Sequence, residues 1–273
     1  MIITIGAFQK IHDETESLEA IFDRMISGFH QRTDQSLALG SYPLFSEFSI
    51  YILAIYRYTV YKSPNIGIFV KANDSIILVP YGFAETKTEK LADYLQVSEV
   101  YASRAGTRLL GPMAVMNNNG MLLPPIASDE EIQMLKQSSH LNVERVKSKF
   151  TAIGNLIATN DNGAIVSPLF KGETDRQVQD VLGVPTNSMT VGGFVQTGSM
   201  IVATNGGAGV HPKATEDEVN EISEILQVPA EPVTVNGGVP FLSSGIVANM
   251  KSVVVGNLTS GPELIMLTRI FKA

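Results

Sequence analysis

The sequence predicts an α/β protein built as a ring of five repeated units, closed by an N-terminal strand and preceded by a leader with one helix. Three observations predict it. An Asn- or Asp-containing turn recurs at near-constant spacing. Each recurrence carries the same order of strand, strand, helix and strand. A surplus strand before the first unit matches a missing strand in the last.

The recurrence begins at KANDSIILVP, ending at Pro80, and returns in AVMNNNGMLLPP, IATNDNGAIVSP, IVATNGGAGVHP and VANMKSVVVG, which end at Pro125, Pro168, Pro212 and Gly256. Seven residues before these ends stand Asn73, Asn118, Asp161, Asn205 and Asn249, at spacings of 45, 43, 44 and 44. A fixed period of this length is the signature of stacked supersecondary units.

The elements follow in chain order. Residues 13–30 carry Leu18, Ile21, Phe22, Met25, Ile26 and Phe29 at helical spacing, and Asp13 with Glu16 can form a capping box, so they predict a helix. Residues 31–55 show no period. Tyr56–Tyr61 alternates like a strand. In each unit an apolar strand runs into an Asn/Asp turn, often with Gly (Gly120, Gly163, Gly207), which predicts a hairpin because these residues tolerate positive φ. The second strand ends at Pro, which cannot continue a central ladder. A helix follows, with expected caps Thr86, Ser128, Thr174, Thr215 and Ser260. Leu91/Tyr94/Leu95, Ile132/Leu135, Val178/Val181/Leu182, Val219/Ile222/Leu226 and Leu264/Leu267 are the expected buried faces. Third strands are expected at 99–102, 143–147, 188–191 and 232–235, each leading to a Gly (Gly111, Gly154, Gly198, Gly245) before the next hairpin.

The fifth helix ends the chain with no third strand after it. The strand at 56–61 supplies one, and closure removes the exposed sheet edge that an open array carries. This divides the chain into a leader, 1–55, and a five-repeat domain, 56–273. The leader is read either as the product of a mis-called start or as a flexible extension.

Composition bounds the chemistry. The chain has 273 residues, a formal charge of −7, 44% hydrophobic and 17% charged residues, and no Cys or Trp. Without Cys there is no disulfide scaffold, thiolate zinc site, iron–sulfur cluster or cysteine nucleophile. The acidic balance argues against binding carried by bulk phosphate contacts. The start lacks the basic-then-apolar pattern of a secretory signal, and the apolar stretch at 48–60 is interrupted by Arg57 and too short to span a bilayer. A cytoplasmic protein with no membrane association is expected.

Several motifs together give a resemblance. They are SPNIGIF (63–69), ASRAGTRLLG (102–111), NNNGMLLPP (117–125), AIGNLIATNDNGAIVSP (152–168), TGSMIVATNGGAGVHPKATEDE (197–218) and SEILQVPAEPVTVNGG (223–238). In order and spacing this chain resembles the archaeal translation initiation factor 6 family, whose fold is the pentein, a five-fold pseudo-symmetric α/β-propeller. The resemblance covers residues 56–273. It implies a translation factor rather than an enzyme. It implies binding to the large ribosomal subunit near the sarcin–ricin loop, through a neighbouring ribosomal protein and with limited rRNA contact. Anti-association follows by blocking the small subunit. It implies a monomer and no cofactor or metal.

Pseudo-symmetry places residues just after the repeat glycines on one face: Pro112, Asn155, Ser199 with Met200, and Ile246. The resemblance implies that this ring contacts the ribosomal protein. Asn155, in the motif GNL, matches the family's Asn, whereas Pro112 stands where eukaryotic members carry a basic residue. Arg104 and Arg108, near the same rim, can meet phosphate or carboxylate as a fork, and Asn236 opens a turn whose N–H groups can face a partner. Each of these also has a structural reading, as a strand start, a solvated Arg or a plain turn.

Other features point away from chemistry. One Asn or Asp per unit around a ring is not a ligand cluster. His12, His30, His140 and His211 have no partner at metal-ligand spacing. The acidic run Glu216, Asp217, Glu218, Glu221 and Glu224 reads as a solvated helix face. GGAG at 206–209 lacks the Lys and spacing of a phosphate loop. Some penteins modify guanidino groups with a Cys nucleophile; this alternative is disfavoured because the chain has no Cys.

Overall fold

The structure, a computed structural model, describes residues 54–103, 107–170 and 172–272. The helix expected at 13–30 lies outside these residues.

The first described element is β1 (Ala54–Tyr58). Five units of one design follow. Each opens with a single helical turn: Ile66–Ile68, Leu110–Met113, Ile153–Asn155, Thr197–Met200 and Leu242–Gly245. An antiparallel hairpin comes next. Its pairs are β2 (Lys71–Ala72) with β3 (Ile76–Pro80), and β5 (Val115–Met116) with β6 (Gly120–Leu123). The others are β8 (Ile157–Thr159) with β9 (Ala164–Val166), β11 (Ile201–Ala203) with β12 (Ala208–Val210), and β14 (Ile246–Ala248) with β15 (Ser252–Gly256). The helices are α1 (Glu85–Leu95), α2 (Asp129–Ser139), α3 (Glu173–Leu182), α4 (Glu216–Leu226) and α5 (Gly261–Phe271). A third strand then pairs parallel to the second: β4 (Glu99–Ser103), β7 (Asn142–Arg145), β10 (Thr186–Ser188) and β13 (Ala230–Pro232).

The result is five three-stranded mixed sheets. In the fifth, β1 fills the third place, running parallel to β15 from Ala54↔Ser252 to Tyr58↔Gly256. The surplus strand does complete the last unit, but it ends at Tyr58 rather than Tyr61. Val60 and Ser63 already pair across a tight turn at 61–62. The same device shortens two other expected strands. Val191 bridges Phe194 and Val235 bridges Val239, so β10 and β13 lie two residues earlier than expected.

Two expected helix caps also shift. Ser128 and Thr215 accept from the N–H of Glu131 and Glu218, and Ser260 forms a capping box with Glu263. The caps of α1 and α3 are Ala84 and Gly172, and Thr86 and Thr174 lie inside the first turn. Thr174 instead donates its hydroxyl to the Lys147 carbonyl at 2.7 Å.

The turn register differs by one residue in the middle three units. The equivalent buried positions are Asn73, Asn117, Asn160, Thr204 and Asn249. Each Asn folds its own turn, accepting two backbone N–H bonds; Asn117 Oδ1 accepts from Asn119 at 3.0 Å and Gly120 at 2.9 Å. Each also donates to the next unit. Asn73 reaches the Asn117 carbonyl at 3.0 Å, Asn117 that of Asn160 at 3.0 Å, and Asn160 that of Thr204 at 3.1 Å. Asn249 reaches back to Asn73 at 3.1 Å, which joins the last unit to the first, whereas the Thr204 hydroxyl donates within its own turn to the Gly207 carbonyl at 3.4 Å. Three of them also satisfy a last-turn carbonyl of the neighbouring helix: Asn117 that of Leu182, Asn160 that of Leu226 and Asn249 that of Leu95. Asn118, Asp161 and Asn205 form a second, more exposed row, with Asn118 between Asp74 and Asp161 at 2.6 Å from each.

At the other end of the strands the units meet through glycine. A Cβ on Gly111 falls 1.8 Å from the Gly67 carbonyl, and one on Gly154 falls 2.1 Å from that of Gly111. The fifth equivalent position, six residues before the buried Asn, is Ser243 and not Gly245. The core is five apolar clusters, each joining adjacent units. One sets Val115 and Leu122 against Ile153, Val166 and Val178, and another sets Val247 and Val254 against Tyr58, Val60 and Leu91. Between the five first strands lies a cavity of about 70 Å³, with Lys71 as its one charged lining residue. Burial pushes the Lys71 ammonium down to about 8.

Candidate functional site

The hairpin turns sit at one end of the strands. The single helical turns, and the turns that follow the third strands, sit at the other, because second and third strands run parallel and exit together. This second end gathers the residues singled out from the sequence.

The positions directly after the close-approach residues are Ile68, Pro112, Asn155, Ser199 and Ser244, all half-buried. They share a face because the five single turns are equivalent. The fifth member is Ser244; Ile246, expected there, is a core residue of β14 with 3% exposure. Asn155 is the last residue of its turn, and its side-chain amide bonds to nothing among the described residues. Ser199 is equally uncommitted. Ser244 donates to the Phe241 carbonyl at 2.7 Å. Met200 is a correction. It is 1% exposed and packs among Ile165, Val191 and Ile201, so it holds the turn from below and Ser199 presents the surface.

Asn236 is a second correction. It is buried, with φ +55°, and its amide donates to the Pro64 carbonyl at 3.0 Å. This side chain ties the fifth unit to the first, and the N–H groups of Gly237 and Gly238 in its turn donate to Glu263. Arg108 is exposed, with its guanidinium 5.3 Å from the Tyr61 ring centroid. Arg104 lies outside the described residues.

The turns of this end are held from beneath by helix N-termini. Glu263 accepts from the N–H of Gly237 at 3.0 Å and of Gly238 at 2.8 Å, from the Ser260 N–H at 2.7 Å, and from the Thr234 hydroxyl at 2.7 Å. Burial pushes its carboxyl up, but the donors at Ser260, Thr234, Gly237 and Gly238 outweigh this and hold it at about 2. Glu218 does the same for the Gly192 N–H, at 3.1 Å to each oxygen, and so is not merely part of a solvated face. Gln177 accepts from the Lys147 N–H at 2.8 Å, and Glu131 accepts from the Ser103 hydroxyl. The sequence reading missed these clamps. The sequence signal of the three Glu clamps is Glu three residues after a capping Ser or Thr, whereas Gln177 carries none because Gly172 caps its helix. His211 is buried. Its Nδ1 accepts from the Lys213 N–H at 3.0 Å, and burial, then the Lys213 charge, lower its pKa.

Among the described residues there is no group of three or more His, Cys, Asp or Glu side chains able to hold a metal ion. Among them also, no helix is long and apolar enough to cross a membrane. What this end offers is a set of turns fixed by hydrogen bonds, carrying short uncommitted polar side chains.

Comparison with known proteins adds the family. Residues 55–270 match the eIF-6 family. The chain is 54% identical over 217 residues to a protein of Nitrosopumilus maritimus named translation initiation factor 6, covering 80% of this chain and 98% of that one. It is 52% identical over 217 residues to the protein of that name from Cenarchaeum symbiosum, with 80% and 98% covered. It is 42% identical over 211 residues to the one from Pyrococcus furiosus, with 76% and 93% covered.

Proposed function

The chain belongs to the eIF-6 family, a family of translation factors rather than enzymes, and on that premise we propose that it binds the large ribosomal subunit near the sarcin–ricin loop and keeps the small subunit from joining. The proposed fold is the pentein, with β1, which begins at Ala54, as its closing strand. The protein acts as a cytoplasmic monomer by occupying space, so affinity and position are its whole mechanism.

The family match over residues 55–270 carries this reading. The clamped end of the strands is the proposed docking face. Asn155 is its central contact, because its amide is positioned by a rigid turn and makes no internal bond, while Pro112 and Ser199 flank it at equivalent positions. Arg108 adds a cation at the rim. Arg104 belongs to the same proposed contact. From residue 63 on, 20 Asp/Glu outnumber 15 Lys/Arg. A net-acidic body fits a partner that is chiefly a ribosomal protein, with rRNA touched at the edge.

Co-sedimentation tests the proposal. Purified protein is mixed with archaeal large and small subunits and run on a sucrose gradient. It is expected to travel with large subunits alone. Failure to do so contradicts the proposal. Asn155→Ala is expected to weaken the association without lowering the melting temperature; normal binding by Asn155→Ala together with Arg108→Ala would remove the assigned face while leaving the function.

A further inference from the structure

The turn between β1 and the first unit is built against its own backbone preferences. Val60 and Ser63 exchange both backbone bonds, at 3.1 and 2.9 Å, around two residues with positive φ, Tyr61 at 52° and Lys62 at 62°. The fourth unit has the same device. Val191 and Phe194 exchange bonds at 3.1 and 3.0 Å around Gly192 and Gly193, at φ 58° and 81°. Glycine is the residue such a turn asks for, since a Cβ is strained there. Among the described residues, every other non-Gly residue with positive φ stands alone, four of them at helix C-caps and one, Asn236, in a Gly-containing turn. Strain retained at two bulky residues in a row asks what the side chains do.

Tyr61 repays part of it locally. Its ring packs edge-on against Phe69 and Phe83, with centroids at 5.2 and 5.3 Å, and remains 40% exposed. Arg108 lies over it. Lys62 has no such return. It is exposed and makes no ion pair or hydrogen bond among the described residues, and Arg108 makes neither as well. Two uncommitted cations therefore flank an exposed aromatic ring at the docking end of a net-acidic protein.

We propose that Tyr61, Lys62 and Arg108 form a contact for an unpaired nucleotide of ribosomal RNA, the base stacking on the aromatic and guanidinium surface and the phosphate meeting Lys62. Aromatic planes beside uncommitted cations are the pairing that single-stranded nucleic acid takes. An acidic peptide would use the cations and leave the ring unused. The proposal rests on the large-subunit reading and names the RNA part of that contact.

The test compares the full-length wild type with Lys62→Gly, Tyr61→Asn and Arg108→Gln, in affinity for large subunits across a salt series and in melting temperature. Lys62→Gly is expected to melt at or above the wild-type temperature, because it relieves the turn, yet to bind more weakly, with a slope of log affinity against log salt shallower by about one. Tyr61→Asn, which keeps the turn and loses the ring, is expected to bind roughly tenfold more weakly. Unchanged affinity and slope in both variants overturn the proposal. Weaker binding with an unchanged salt slope also overturns it and points to a protein partner. If wild type fails to bind large subunits, the large-subunit reading has failed, and a short labelled single-stranded RNA decides the patch by fluorescence anisotropy. Weaker binding by Lys62→Gly and Tyr61→Asn supports it, and equal or absent binding overturns it.

Discussion

The side-chain amide of Asn249 donates to the backbone carbonyl of Asn73 at 3.1 Å, across 176 residues of chain. The same amide donates to Leu95 at 2.8 Å, while its Oδ1 accepts from Lys251 and Ser252, each at 2.9 Å. One 3%-exposed side chain thus folds its own turn, caps a helix of the first unit and joins the last unit to the first.

Asn249→Ala is therefore expected to leave buried donors and acceptors unpaired at both ends of the chain and to cost about 3 kcal/mol or more. Urea unfolding checks this. Asn118→Ala, in the exposed second row, is the control and is expected to cost about 1 kcal/mol or less.

Gly111→Ala places a methyl 1.8 Å from the Gly67 carbonyl. Backbone faces backbone there, so no side chain can yield, and the expected cost exceeds about 4 kcal/mol, read as loss of soluble folded protein. Ser243→Gly restores at the fifth position the residue the other four use and is expected to change stability by less than about 1 kcal/mol.

Glu263 predicts an acid limit. Its carboxyl, ordinarily near 4.5, is held at about 2 in the folded protein. The unfolded chain binds the proton first as pH falls, so the stability Glu263 contributes is fully present above about 4.5 and is lost as pH drops toward 2. Glu263→Gln is expected to cost about 2–3 kcal/mol at pH 7 and to flatten the stability profile across that window. Thermal melts from pH 2 to 7 measure it.

Lys71 is a penalty at pH 7 where Glu263 is a gain, although both lowered values make stability rise with pH. Its folded value of about 8 lies below the ordinary 10.5, so the folded state favours the neutral amine. Stability is expected to rise with pH between 8 and 10.5 from this group. Lys71→Met, which removes the one cation that lines the cavity, is expected to raise the melting temperature at pH 7. The gain should shrink through that window and vanish above it.

Much of this was legible in the sequence, for physical reasons that particular residues show. The period is visible because four of the five units carry an Asn at the same buried turn position and the fourth carries Thr204, and Asn249 and Asn73 do one job. The closing strand is visible because β15 has one free edge and 56–61 alternates. The register slipped by one at Asn117 and Asn160 because runs such as NNN and TNDN offer several equivalent letters, and only burial tells Asn117 from Asn118. Met200 and Asn236 looked available for the same reason: a turn residue reads alike whether its side chain points in or out. The alternation at 56–61 carries Tyr61 into the expected strand because the turn it makes with Lys62 has no Gly, and the strain there is a property of φ that letters do not record. The clamps from Glu218 and Glu263 cross between units and follow only once the helices are placed over the neighbouring turns.

Subunit joining gives the most direct test of the proposed function. Archaeal small and large subunits are mixed in the presence of increasing protein, and formation of the joined ribosome is followed by light scattering. Joining is expected to fall in proportion to large subunits occupied, to reach full inhibition near one protein per large subunit, and to be restored by excess large subunits but not by excess small ones. Joining that proceeds unchanged while large subunits are saturated with the protein would contradict it.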